Sequence, residues 1–267
     1  MTNYAQTGVL LALEALQKPS WAYYHLWGHI DQRLLLRFHR VDDKDRRADF
    51  RSLNEALCLV TAGDATVFAQ LFERFLSFSS QRGASAGTAS PIPLQSEASL
   101  DLQQLVFCLT SLLRPDKVVE VGVGRGATTR AILMALKENQ KGHLYSIDFP
   151  ALRPGYAQDI GMLVTETLRD QWTLILGPSQ RELQRLLPTL GRIELFVHDG
   201  AHSYYSQRAD YEVAADYLAP GGVLVSDDVN NSSFLEVSRA KGMRALLMHQ
   251  SKADPIGFAF KNSTIET

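Results

Sequence analysis

The chain has 267 residues with 27 Lys and Arg against 29 Asp and Glu, a formal net charge of −2. That length allows one α/β domain plus an accessory segment, and the balance leaves no basic field to recruit nucleic acid or an anionic membrane. The apolar run at 8–16 is too short to span a bilayer and carries Glu14. Cys58 and Cys108 each stand in an apolar run and read as reduced core residues of a cytoplasmic protein. A small or neutral substrate is the expected partner.

Residues 1–80 are expected to be helical. Val9, Leu10, Leu13 and Leu16 recur at helical spacing before Lys18-Pro19, and 21–38 is rich in leucine and aromatics. The stretch 37–51, with DDKDRR at 42–47, reads as a solvated turn and helix start, and 53–60 and 66–78 give two further helices. Trp21, Tyr23, Tyr24 and Trp27 fit either a substrate lid or core and subunit packing. Such helices ahead of a main domain would cover it or join copies into a homo-oligomer. At 81–93 the composition turns to Gly, Ala, Ser, Thr and Pro, which cannot pack a core and marks a linker, either a tether or a gate. The expected organisation is 1–80 helical, 81–93 linker and 94–267 a ligand-binding domain, opened by an amphipathic helix over Leu100–Leu113.

Residues 117–123 alternate as a buried strand does, Gly122, Gly124 and Gly126 then interrupt, and 127–136 resumes at helical spacing. A strand that turns on glycines into a helix brings backbone close to a ligand and points free N–H groups at it. As G-x-G-x-x-G/A, Gly122, Gly124 and Ala127 satisfy the dinucleotide fingerprint, which keeps an NAD-dependent oxidoreductase as an alternative. Glu120 argues against a pyrophosphate, which it would repel, and suits the cationic methionine end of S-adenosylmethionine (SAM). EVGVGRG resembles the first motif of the class I SAM-dependent methyltransferases.

Beyond the loop, strand and helix alternate, as in a Rossmann-like parallel sheet with helices on both faces. Strands are expected at 143–147, 172–176, 193–197 and 223–226, the last entered through a turn at Pro220-Gly221-Gly222, and two closing strands at 244–250 and 256–261. Helices are expected at 181–187, 207–218 and 232–241. Seven strands with a closing pair fit the methyltransferase sheet better than a six-stranded dinucleotide fold. Asp148 ends the second strand, where a carboxylate can accept both ribose hydroxyls of a nucleoside.

Ligands of such sheets bind beyond the carboxyl ends of the strands. Asp199 follows the strand 193–197, and Asp227 and Asp228 follow 223–226. Consecutive side chains in a strand point to opposite faces, so these two can share a site only where the strand leaves the sheet. Three carboxylates together require a cation or a retained proton, and an all-oxygen set selects a hard ion, Mg²⁺ first, with Mn²⁺ or Ca²⁺ also suited. The alternative is that they cap helices and bind water. His202, three residues past Asp199, can look into the same mouth and accept a proton near neutral pH. His198 is discounted as a zinc partner of His202, because it alternates away from Asp199 and no thiol completes a set.

HDGAHSY followed by GGVLVSDDV resembles the metal-dependent O-methyltransferases, especially bacterial natural-product enzymes that methylate sugar hydroxyls of macrolides. The resemblance covers about residues 95–230. It implies a metal triad of Asp199, Asp227 and Asp228, with Asp199 also beside the cofactor, and a basic residue at His202, where catechol O-methyltransferases carry lysine. Ser179-Gln180 matches the pair that touches adenine in the catechol enzymes. The implied activity is Mg²⁺-assisted methyl transfer from SAM to a hydroxyl of a sugar, diol or catechol-like compound. A non-catalytic SAM-binding oligomeric protein is the reading outside catalysis.

Overall fold

The computed structural model describes residues 19–30, 50–51, 65–79, 90–94, 97–248 and 254–262. In chain order these form α1 (Pro19–Ile30), β1 (Phe50–Arg51), α2 (Ala65–Ser79), α3 (Leu100–Leu113), β2 (Lys117–Val121), α4 (Ala127–Asn139), β3 (His143–Asp148), α5 (Tyr156–Asp159), a 3₁₀ turn (Glu166–Gln171), β4 (Trp172–Leu176), α6 (Ser179–Leu190), β5 (Ile193–His198), α7 (Tyr204–Tyr217), β6 (Leu218–Ser226), α8 (Ser233–Ala240), β7 (Arg244–Met248) and β8 (Ile256–Phe260). The expected helix at 53–60, the repeat of Val9 to Leu16, Cys58 and residues 81–89 of the expected linker lie outside the described residues.

The sheet runs β1-β7-β8-β6-β5-β2-β3-β4. Strands β6, β5, β2, β3 and β4 are mutually parallel, and β8 pairs antiparallel with both β6 and β7. This is the expected seven-stranded Rossmann-like methyltransferase sheet, with a two-residue strand added at one edge. That strand, β1, pairs parallel with β7 where the sequence reading has a solvated turn and helix start; it covers hydrogen-bonding groups that β7 would otherwise leave open. Pro220-Gly221-Gly222 also differ from expectation: they stand inside β6, where pairing with β5 shifts register between Ile193 and Leu195.

Alternation along the central strands sorts two cores. Val118 of β2, Leu144 of β3, Leu195 and Val197 of β5 and Val225 of β6 pack with Leu105, Phe107, Ile132 and Leu136 of α3 and α4. Val119, Ile147, Phe196 and Leu224 point the other way, onto Leu183, Leu187, Tyr211 and Phe234 of α6, α7 and α8. Each fully buried Leu or Phe in these layers contributes about 1.5–3 kcal/mol of transfer free energy. At the start of α3 the Ser99 hydroxyl accepts from Leu102 N–H at 3.2 Å, and Arg114 ends the helix in the left-handed region.

Residues assigned by sequence to separate segments share this core. Leu71 and Phe75 of α2 are buried with the α3 side chains, and Phe75 meets Phe107 at 5.7 Å between ring centroids. Ile92, at the end of the expected linker, is buried against Val123 of the glycine loop and Ile160. Cys108 is a free, buried thiol whose pKa burial pushes up to about 12, which leaves it unreactive. No helix among the described residues is long and apolar enough to cross a membrane.

Candidate active site

A cavity of ≈ 730 Å³ opens at the carboxyl ends of β2, β3, β5 and β6, a volume within the range of about 300–1,000 Å³ usual for small-molecule sites. The glycine loop forms its floor. Gly122 has φ +88°, and a Cβ there would come 2.0 Å from the Asp199 carbonyl oxygen, so only glycine lets the loop cross the exit of β5. Gly124 lines the cavity directly. Gly126, expected to do the same, is not on the wall: at φ +93° it starts α4 and packs on Gly161, where a Cβ would meet Cα at 2.9 Å.

Asp148 lines the cavity and holds the loop in shape, because its Oδ2 accepts from Val123 N–H at 2.7 Å and Gly124 N–H at 2.9 Å. Burial raises its pKa, and these two backbone bonds partly offset the rise. Glu120 departs from expectation, since it is fully buried beneath the wall rather than facing the methionine end of a donor. Strand alternation turns it under the loop, where its Oε2 accepts from Thr129 Oγ1 at 2.8 Å and Ser146 Oγ at 2.6 Å. Desolvation raises its pKa to about 8 against these hydroxyl bonds.

The acidic residues gather where β5 and β6 end, next to the glycine loop. Asp199, Asp227, Asp228 and His202 all line the cavity. The two consecutive aspartates face it together because the strand ends at Ser226 and Asp228 adopts φ +45°, the left-handed conformation that breaks alternation. Asp199 Oδ2 accepts from Thr128 Oγ1 at 3.3 Å. Its pKa is raised well above the usual carboxylate range, first by burial and then by the charges of Asp227, Glu120 and Asp228, with Thr128 opposing. His202 stands between two carboxylates, Nδ1 3.4 Å from Asp228 Oδ2 and Nε2 3.9 Å from Asp199 Oδ1.

Among the described residues no group of three or more His, Cys, Asp and Glu side chains is spaced to hold a metal ion. The fit to a hard divalent cation is therefore one of donor chemistry and charge. Three carboxylates line one cavity, and burial together with the charges of Asp227, Glu120 and Asp228 disfavours the ionised form of Asp199, a cost that a bound hard cation would offset. His198 takes no part in this group; it is buried, with Nε2 in a hydrogen bond to Asp210 Oδ2 at 3.1 Å.

Ser179 and Gln180, at the start of α6, line the cavity beside Asp148 and Phe149. Both are already bonded to α7: Ser179 Oγ donates to Asp210 Oδ2 at 2.7 Å, and Gln180 Nε2 donates to Ser206 Oγ at 2.6 Å. The roof comes from α1. Trp21 is buried edge-on against Phe149 at 5.3 Å, His25 stacks on the same ring at 3.9 Å, and Tyr23, Tyr24 and Trp27 line the cavity. Sequence reasoning missed Phe149, His25, Thr128 and the buried Arg125, which pairs with Glu97 at 2.9 Å. A polar or aromatic residue with no partner nearby in sequence offers no signal of the contact it makes after folding.

Residues 119–229 match a family model described as a methyltransferase domain. The sheet has the class I methyltransferase fold, and residues 119–229 are similar to a methyltransferase domain. No curated protein matches the chain in sequence. Among solved structures it resembles the O-methyltransferase from Bacillus cereus in complex with S-adenosylhomocysteine (SAH), at 14% identity and TM-score 0.51 over 79% of this chain and 97% of that one. SAH-bound methyltransferase PaMTH1 of Podospora anserina aligns at 13% identity and TM-score 0.51, covering 72% and 88%. Cofactor-bound Rv0187 from MTB aligns at 15% and 0.52, covering 84% and 100%. At such identities the likeness is one of fold. The antiparallel β8 between β6 and β7 fits the methyltransferase sheet rather than the six-stranded dinucleotide fold suggested by Gly122, Gly124 and Ala127.

Proposed function

We propose that the protein transfers a methyl group from SAM to a hydroxyl of a small molecule bearing neighbouring oxygens, with a divalent cation, Mg²⁺ first and Mn²⁺ as an alternative. The observation that carries this reading is the gathering of Asp199, Asp227, Asp228 and His202 on the same cavity as the glycine loop and Asp148. The loop backbone and Asp148 bind the nucleoside, and Ser179 with Gln180 takes the adenine edge. Asp199, Asp227 and Asp228 would hold the cation, which when bound supplies the Lewis acidity that lowers the hydroxyl pKa. His202 accepts the hydroxyl proton at Nε2 while Asp228 keeps Nδ1 engaged, fixing the orientation of the ring. The aromatic side chains of α1 close the roof and exclude water from the reacting atoms.

The test is incubation of the purified protein with methyl-labelled SAM, Mg²⁺ and a panel of sugars, vicinal diols and catechols, followed by mass spectrometry. A labelled product with stoichiometric SAH is expected. Tight SAH binding with no SAM consumed across the panel would instead support a non-catalytic SAM-binding protein. Absence of SAH binding would overturn both.

A further inference from the structure

Beneath the donor end of the cavity lies a buried polar chain that the proposed reaction does not use. Ser179 Oγ and His198 Nε2 both meet one oxygen of Asp210, Oδ2, at 2.7 Å and 3.1 Å. The side chains of His198 and Asp210 are 0% exposed, and Asp210 Oδ1 has no hydrogen-bond partner among the described residues. The two bonds at Oδ2 are therefore what holds this carboxylate. A serine hydroxyl has one proton and two lone pairs, whereas a carboxylate only accepts. With its proton committed to Asp210, Ser179 can offer the cavity nothing but lone pairs.

We propose that Asp210 sets the polarity of the adenine subsite, making Ser179 an obligate acceptor that selects the exocyclic amino group of adenine over a carbonyl at the same place. This rests on the reading of the cavity as a SAM site and adds a positioning residue and a base specificity to it. Adenine presents an N–H donor at C6; hypoxanthine presents an oxygen there, which would face the Ser179 lone pairs. An acceptor confronted by another acceptor inside an occupied cavity is left unpaired, which disfavours the wrong base.

The experiment is calorimetric titration of the full chain with SAH and with S-inosylhomocysteine, reading the ratio of the two dissociation constants. The wild-type protein is expected to prefer SAH by about tenfold or more, the scale of one hydrogen bond lost in a buried site. In Asp210→Leu the Ser179 hydroxyl is free to turn and donate, and in Ser179→Ala it is gone, so both ratios should fall toward one. If Asp210 merely tied α6 to α7, its loss would weaken both ligands alike and keep the ratio, and that result overturns the proposal. Should Asp210→Leu fail to fold, the double variant with His198→Leu removes the buried pair without leaving a lone charge, and its ratio decides in the same way. A wild-type ratio near one with SAH bound tightly refutes the adenine polarity alone, whereas no binding of SAH refutes the SAM site itself.

Discussion

The two sides of the cavity are built on opposite principles. On the donor side every acidic group has local partners: Asp148 is held by two loop N–H groups, and Glu120 by two hydroxyls. In the acidic cluster the charges of Asp227 and Asp228 add to burial in raising the pKa of Asp199, which accepts a long hydrogen bond from Thr128. A group held by local hydrogen bonds, as Asp148 is, is preorganised, and a region of unbalanced like charge is completed by what it binds. The contrast suggests that donor binding and methyl transfer can be separated by mutation.

The largest effect is expected at Asp227, buried at the end of β6. Asp227→Ala should abolish turnover while the dissociation constant of SAH, read by calorimetry, changes little. A parallel loss of SAH affinity would erase the contrast between the two sides. Next comes His202→Ala, which removes the proton acceptor and should lower kcat by about 10²–10⁴-fold with SAH affinity retained. Asp148→Ala should act on the other side, weakening SAH by about tenfold or more through both the ribose contact and the released loop. If it left SAH affinity intact, Asp148 would serve only the loop's shape.

The smallest effect concerns Glu120 and stability. Its pKa near 8 in the fold stands above the ordinary 4.5 of the unfolded chain. Between those values the folded protein holds a proton that the unfolded chain has released, so this group's contribution to stability is full below about 4.5 and is lost as pH rises through 8. Glu120→Gln should flatten that part of the melting temperature profile of the ligand-free protein, gaining most on wild type above pH 8. An unchanged slope would show that the carboxylate is not protonated in the fold.

Much of the sheet and the acidic cluster was legible in the chain. Trp172–Leu176 and Leu100–Leu113 were readable residue for residue, because each is an apolar-rich run closed by a breaker, Gly177-Pro178 after the strand and Pro115 after the helix. The meeting of Asp227 with Asp228 could be stated as a condition, that the strand must end there, and φ +45° at Asp228 meets it. The depth of Glu120 was not readable, since alternation says that a side chain changes face but not what the other face holds. Nor were β1, the seat of Ile92 or the docking of Trp21 and His25 on Phe149, all of which join residues far apart in the chain or hang on a single side chain. Asp210 sits on a helix with nothing around it in sequence to mark its bonds to Ser179 and His198.

The most direct measurement is the rate of methyl transfer by the full-length protein before and after EDTA, with SAH titrated calorimetrically in the same two buffers. A cation held by Asp199, Asp227 and Asp228 predicts that turnover falls to background in chelator, returns on adding Mg²⁺, and leaves SAH binding unchanged. Undiminished turnover by metal-free protein would contradict it.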